Sequence, residues 1–370
     1  MTVRPTRSAS APASPARKPD DFPPRALTPN PSRSLALLAV CLVALIGAAL
    51  LAVVIGSVAV PLDAVLALLG ERLMGLGATA WPDKYRTILF DIRLPRIAFI
   101  AVTGAALASA GAAYQGLFRN PLADPYLVGV ASGAGLGATL ALTLQTPGTF
   151  LGLGLVPVGA FLGALATVGL VTLSAQVGRR VPISTMLLAG VAIGAFASAL
   201  TTFLMLRTPE GLRRAFNWLL GGYTGGGWEA VLVILPYVGV GWVVLQLHAR
   251  ALNVLQLDEE QARQLGVNVE RVKAAVVLAA TLMTAAVVAF GGLTGFVGLV
   301  VPHALRLMGG PDYRRLLPLS ALGGAAFLIL ADLVARTALA PQELPVGVVT
   351  ALAGAPFFVF LLRRLKRSVF

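Results

Sequence analysis

Charge is scarce in this chain: of 370 residues only 12% are Asp, Glu, Lys or Arg, whereas 57% are hydrophobic. A soluble domain of this size needs far more polar surface to cover its core, so that class is excluded. Cysteine is nearly absent. The single Cys41 lies inside the first apolar run, which rules out a disulfide framework and a Cys-based metal site and leaves a small hydrophobe. Histidine occurs only as His248 and His303, neither with carboxylate or cysteine companions at ligand spacing, so no metal site is expected.

Two further absences bear on energy. A proton-coupled transporter keeps a carboxylate near mid-membrane in spite of a cost of about 2.5–3.5 kcal/mol at a helix centre. Here Asp124, Glu229, Asp332 and Glu343 all fall near the ends of apolar runs. That argues against an ion-coupled secondary transporter. A G-x-x-x-x-G-K-[ST] phosphate loop is missing too, since no Gly-Lys pair occurs anywhere, so any ATP must be bound by another subunit. No cluster of His, Asp, Glu or Cys supports a multi-pass membrane enzyme, and no catalytic residue is expected.

What the chain does have is apolar runs near the roughly 20 residues needed to cross hydrocarbon. Ten are expected, at about 35–57, 95–116, 126–144, 156–177, 183–206, 228–247, 274–290, 296–307, 317–333 and 346–362. The chain reads as all-α and polytopic. Residues 1–33, with eight prolines and six basic residues, are expected to be a disordered cytoplasmic tail ahead of a transmembrane domain over 34–370. The net charge of +13 comes from arginines at the ends of the runs, where membrane topology puts them, and calls for no nucleic acid. Both termini fall inside. Lys84, Arg86, Arg93, Arg96, Arg207, Arg213, Arg214 and Arg336 fall outside, against the positive-inside bias.

The connectors carry local signals. VPLDAVLALLGERL, after the first run, and LRRAFNWLL, near residue 215, have the apolar spacing of short surface helices. The main cytoplasmic loop, 248–273, contains LNVLQLDEEQARQLGVNVERVK. Asp258 is a good N-cap, Gln261 stands where a capping box puts it, Leu257 and Ala262 have staple spacing, and Gly266 is a suitable stop. Such a helix either closes a loop or docks a partner. Ser184 and Thr185, after Pro182, are candidates for helix capping or for a pathway role. Small residues in GAALASAGAA, GVASGAGLGA and GGAA permit close helix approach.

RLPR at 93–96, G-x6-G-x3-Q at 104–115, RNPLADPYLVG at 119–129, MLLAGVAIG at 186–194, ALNVLQLDEEQARQLGV, GFVGLVVPHALR at 295–306 and ADLVART with ELPVGVVTALAGAPFF form one collinear series. The series, covering about 35–364, resembles the FecCD-like permeases of iron-siderophore, heme and vitamin B12 importers, the type II ATP-binding-cassette importers. The resemblance implies a ten-helix homodimer in a bacterial-type inner membrane, surrounded by membrane lipid. Two ATPase subunits, which carry the ATP and Mg, dock inside, and a soluble or lipid-anchored substrate-binding protein docks outside. No cofactor is implied on this chain. Arg93, Arg96 and Arg336 match the positions that dock the binding protein. Asp258, Glu259, Ala262, Leu265 and Gly266 match the loop that couples to the ATPases. Asn120, Leu122, Ser184 and Thr185 match the inner gate. Spans two, three, five and eight are expected to wall the pathway, and the expected cargo is an iron-siderophore, with heme or a corrinoid as alternatives.

Overall fold

The computed structural model describes residues 31–369 apart from 57, 76–80, 145–148, 151–152, 179, 208 and 223–224, so most of the expected tail lies outside the described residues. Helix α1 (Pro31–Val54) and the short α2 (Leu62–Met74) lead to α3 (Asp83–Thr87), which continues through a π-helical turn at Ile88–Arg93 into α4 (Leu94–Leu117). A 3-10 turn at Pro125–Val128 introduces α5 (Val130–Leu144), followed by α6 (Leu155–Ser174), α7 (Ile183–Met205), α8 (Pro209–Leu219) and α9 (Gly227–Leu247). The polar stretch that follows folds as α10 (Ala249–Leu255) and α11 (Glu259–Gln264). The chain then finishes with α12 (Val269–Gly291), α13 (Val297–Gly309), α14 (Tyr313–Thr337) and α15 (Val346–Val369).

Seven of these are long and apolar enough to cross a membrane, and three shorter apolar helices, α5, α13 and the first part of α15, occupy the remaining expected spans. Both expected surface helices form, as α2 and α8. The second span begins earlier than hydropathy suggests. Pro95 lacks the N–H that would continue the ladder, and the chain accommodates it with the π turn immediately before it, so one helical path runs from Asp83 to Leu117.

Helix α4 is the axis of the bundle. Every residue from Ala106 to Leu117 is buried, with α9, α12, α13 and α14 packed round it. This corrects the expectation that span two walls the pathway: an apolar helix can face lipid, a cavity or other helices with the same hydropathy, and here neighbours enclose it. Glycine makes that enclosure possible. A Cβ on Gly104 would be driven into the carbonyl oxygen of Gly324 on α14, and one on Gly111 into that of Gly298 on α13. We expect Gly104→Val to cost about 1–3 kcal/mol through overpacking, seen as a lower thermal midpoint in detergent. Gly169→Val, at a site with nothing within 4 Å of the added carbon, should leave that midpoint unchanged.

Helix α7 is the opposite case. Leu188, Val191, Phe196 and Phe203 are exposed, and α7 is the least buried of the seven long spans.

Candidate functional site

Three groups of residues stand out, one at each end of the bundle and one along its side. At the first end, α4 stops at Leu117 and the chain reverses through Arg119, whose φ of 50° is left-handed. Asn120 and Asp124 stabilise the reversal, as Asn120 Oδ1 accepts from the Leu122 N–H at 2.9 Å and Asp124 Oδ1 from the Tyr126 N–H at 2.9 Å. Asn120 is exposed and Leu122 half-buried.

The N-terminal end of α11 meets this turn. Asp258 caps the helix, accepting from the Glu259 N–H at 2.8 Å, and Gly266 ends it at φ 84°. The same Asp258 carboxylate takes a 3.1 Å ion pair from Arg119, and Gln256 Nε2 donates to the Gly116 carbonyl at 2.9 Å. Of the two residues with staple spacing, Ala262 is fully buried whereas Leu257 is 58% exposed. Leu265 is 64% exposed, an apolar side chain carried outward beside the stop. Helix α12 also starts sooner than expected, because Asn268 Oδ1 accepts from the Arg271 N–H at 3.1 Å and caps it.

Ser184 and Thr185 do not cap α7. Pro182 occupies the cap position, Ser184 is exposed, and the Thr185 hydroxyl donates backwards to the carbonyls of Pro182 at 2.9 Å and Ala175 at 3.0 Å. Nearby, Asp312 caps α14 and also accepts from Asn253 on α10 at 2.7 Å. Burial alone would push its carboxyl up, but the hydrogen bonds from Arg314 and Asn253 overcome that and hold it at about 2.

At the other end, Arg96 pairs with Asp332 at 2.8 Å and with Glu343 at 2.9 Å, and Arg336 reaches the second oxygen of Asp332 at 3.1 Å. Arg93 donates to the carbonyls of Val53, Val54 and Val58 at the end of α1. Arg93 and Arg336 are therefore buried, each 4% exposed, instead of standing on the surface as the external arginines were expected to do. Desolvated guanidiniums need acceptors, and these two find them within the chain. Arg96 alone of the three borders the open cavity of about 520 Å³ at this end, together with Arg214 and Trp218.

Along the side, α5 and α7 enclose a groove of about 460 Å³ lined by glycines and by the hydroxyl-bearing Ser132, Ser198, Thr201 and Thr202. Among the described residues, no charged side chain lines it. Spans three and five supply its walls, with Leu219 and Leu293 at one end, whereas α4 and α13 contribute nothing. Among the described residues, no group of three or more His, Cys, Asp or Glu could hold a metal ion.

A multi-pass bundle around a buried axis, with an uncharged groove on one side and a separately capped helix at one end, defines a membrane permease. The chain belongs to the FecCD transport family, whose profile matches residues 42–364, and is the permease of an ATP-binding-cassette importer. It is 48% identical over 282 residues to the cobalamin import system permease protein BtuC of Halobacterium salinarum, covering 76% of this chain and 75% of that one. It is 41% identical over 293 residues to the hemin transport system permease protein HmuU of Yersinia pestis, covering 78% and 87%. Its fold is similar to a solved inward-facing conformation of a metal-chelate type ABC transporter, with a TM-score of 0.78 and 30% identity over 89% of this chain and 99% of that one.

Proposed function

We propose that the chain is half of a homodimeric pathway for a bulky metal chelate in a bacterial-type inner membrane, with both termini cytoplasmic. ATPase subunits bind at the α11 end, and a soluble or lipid-anchored binding protein delivers cargo at the Arg96 end. The observation that carries this reading is α11, a helix whose capping Asp258 pairs with Arg119 at the turn and whose Leu265 is exposed for a partner. Asp258, Glu259, Ala262, Leu265 and Gly266 form the coupling element, and Asn120, Leu122, Ser184 and Thr185 lie at the inner gate. Arg96, beside the open cavity, is the external docking contact, and Arg93 and Arg336 support the helix ends that present it.

The groove between α5 and α7 offers hydroxyls and glycine backbone but no counter-charge, which suits a large cargo held by shape. Of the three cargo classes, the cobalamin and hemin relatives favour a macrocyclic chelate, a corrinoid or heme, over the siderophore that the resemblance put first.

The test is uptake of cobalamin, heme or an iron-siderophore into vesicles holding this permease with its ATPase and binding-protein partners. Uptake should require ATP and survive a collapsed proton gradient. Uptake driven by the gradient without ATP would replace this reading with a secondary transporter. In the same assay Arg96→Gln, which keeps hydrogen-bond donors but loses the charge, should weaken binding-protein docking about tenfold in correctly inserted protein. Unchanged docking would move the contact elsewhere on that face.

A further inference from the structure

Lys273 sits in the second turn of α12 and is only 7% exposed, an ammonium buried at the edge of an apolar helix. Such a charge persists where partners offset its desolvation, and the partners show what it joins. Its Nζ lies 2.7 Å from Glu259 on α11 and 3.7 Å from Glu270 on its own helix, and it donates to the Val181 carbonyl at 3.2 Å. Glu270 in turn accepts from the Val181 N–H at 3.2 Å. Both backbone groups of Val181 are thus held by side chains of α12. The next residue is Pro182, the rigid cap of α7.

Helix α11 has six residues and one buried side chain, Ala262, so apolar packing fastens it weakly. Its ion pair to Arg119 is exposed on both sides, 39% and 51%, and pairs of that kind contribute about 0–1 kcal/mol. The Lys273–Glu259 contact is short, charge-assisted and shielded, at 8% and 25% exposure. Helix α7, beyond Val181, is the long span least held by its neighbours. The shortest ion pair from the capped helix thus ends on α12, where Arg263 of α11 adds a longer pair to Glu270 at 3.3 Å, and the same Lys273 and Glu270 hold Val181 at the entry to the least buried span.

We infer that Lys273 is a positioning residue that carries displacement of α11 through Glu259 to Val181 and so to the start of α7. This rests on the reading that α11 docks the ATPase subunits.

The test uses the assembled transporter in vesicles and counts cargo moved per ATP hydrolysed. In Lys273→Met the ATPase subunits should still co-purify while that ratio falls at least tenfold. Lys273→Arg, which keeps the charge, should recover at least half of it. Glu259→Gln should match the loss, and combining it with Lys273→Met should add nothing further. A parental ratio in Lys273→Met or Glu259→Gln, with the ATPases bound, overturns the proposal. If Lys273→Met fails to assemble, Glu259→Gln decides alone, since that side chain is part-exposed and its loss is tolerable for folding. Retention of the ATPases by Leu265→Asp would instead refute docking at α11, a different failure from an unchanged ratio with docking intact.

Discussion

Asp332→Ala should destabilise the folded permease by about 3–5 kcal/mol, the range for removing one member of a buried ion pair. Asp332 is 2% exposed and is shared by Arg96 at 2.8 Å and Arg336 at 3.1 Å, so its loss leaves the buried Arg336 without a carboxylate and Arg96 with the half-exposed Glu343 alone. Glu343 makes an equally short contact with Arg96, yet its side chain is 45% exposed and water can take over. Glu343→Ala should therefore cost less than about 1 kcal/mol. Thermal denaturation of purified protein in detergent separates the two, and similar losses for both would refute the account. The triple variant Arg96→Met, Asp332→Leu, Arg336→Met should recover most of the stability lost in Asp332→Ala, because apolar packing can replace a buried ionic cluster when every member goes together.

That cluster also shows where reading the sequence stops. Arg93, Arg96 and Arg336 were conspicuous as external charges, but Asp332 lies 236 residues from Arg96 and Glu343 lies 247 away, so nothing local announced that the carboxylates would reach the arginine. The ten apolar helices, seven of them long enough to cross a membrane, were legible because run length and flanking charge report such segments directly. Which spans are enclosed was not, since α4 and α7 are both apolar and both carry glycines that meet a neighbour closely, Gly104 and Gly111 on α4 and Gly190 on α7. The cap at Asp258 and the stop at Gly266 were legible, being local chemistry. In the sequence Lys273 looks like one more basic residue at a span end. The available signal was its position inside the helix that Asn268 caps, where a lysine must find a partner or snorkel. Ser184 and Thr185 misled because a proline can hold the cap position by its backbone alone, leaving a following hydroxyl to bond backwards.

The last expected result concerns Leu265 and Gly266, which separate contact from geometry at the coupling element. Leu265 is exposed, so Leu265→Asp removes an apolar contact for a partner without disturbing the core, and folding should be unaffected. Gly266 makes no such contact. Nothing lies within 4 Å of a Cβ built there, but its φ of 84° belongs to the region that L side chains avoid, at about 1–2 kcal/mol per residue. Gly266→Val therefore shifts the chain leaving α11 and re-aims the helix while leaving Leu265 in place. We expect Leu265→Asp to release the ATPases, whereas Gly266→Val keeps them bound and drops transport-coupled hydrolysis in vesicles below about a tenth of the parental rate, a barrier change of roughly 1.4 kcal/mol or more. Full coupled hydrolysis in both variants would dissociate α11 from energy transfer. Loss in Leu265→Asp alone would mean that contact matters and the angle of the helix does not, so that α11 would be an anchor and the stroke would have to enter the bundle elsewhere.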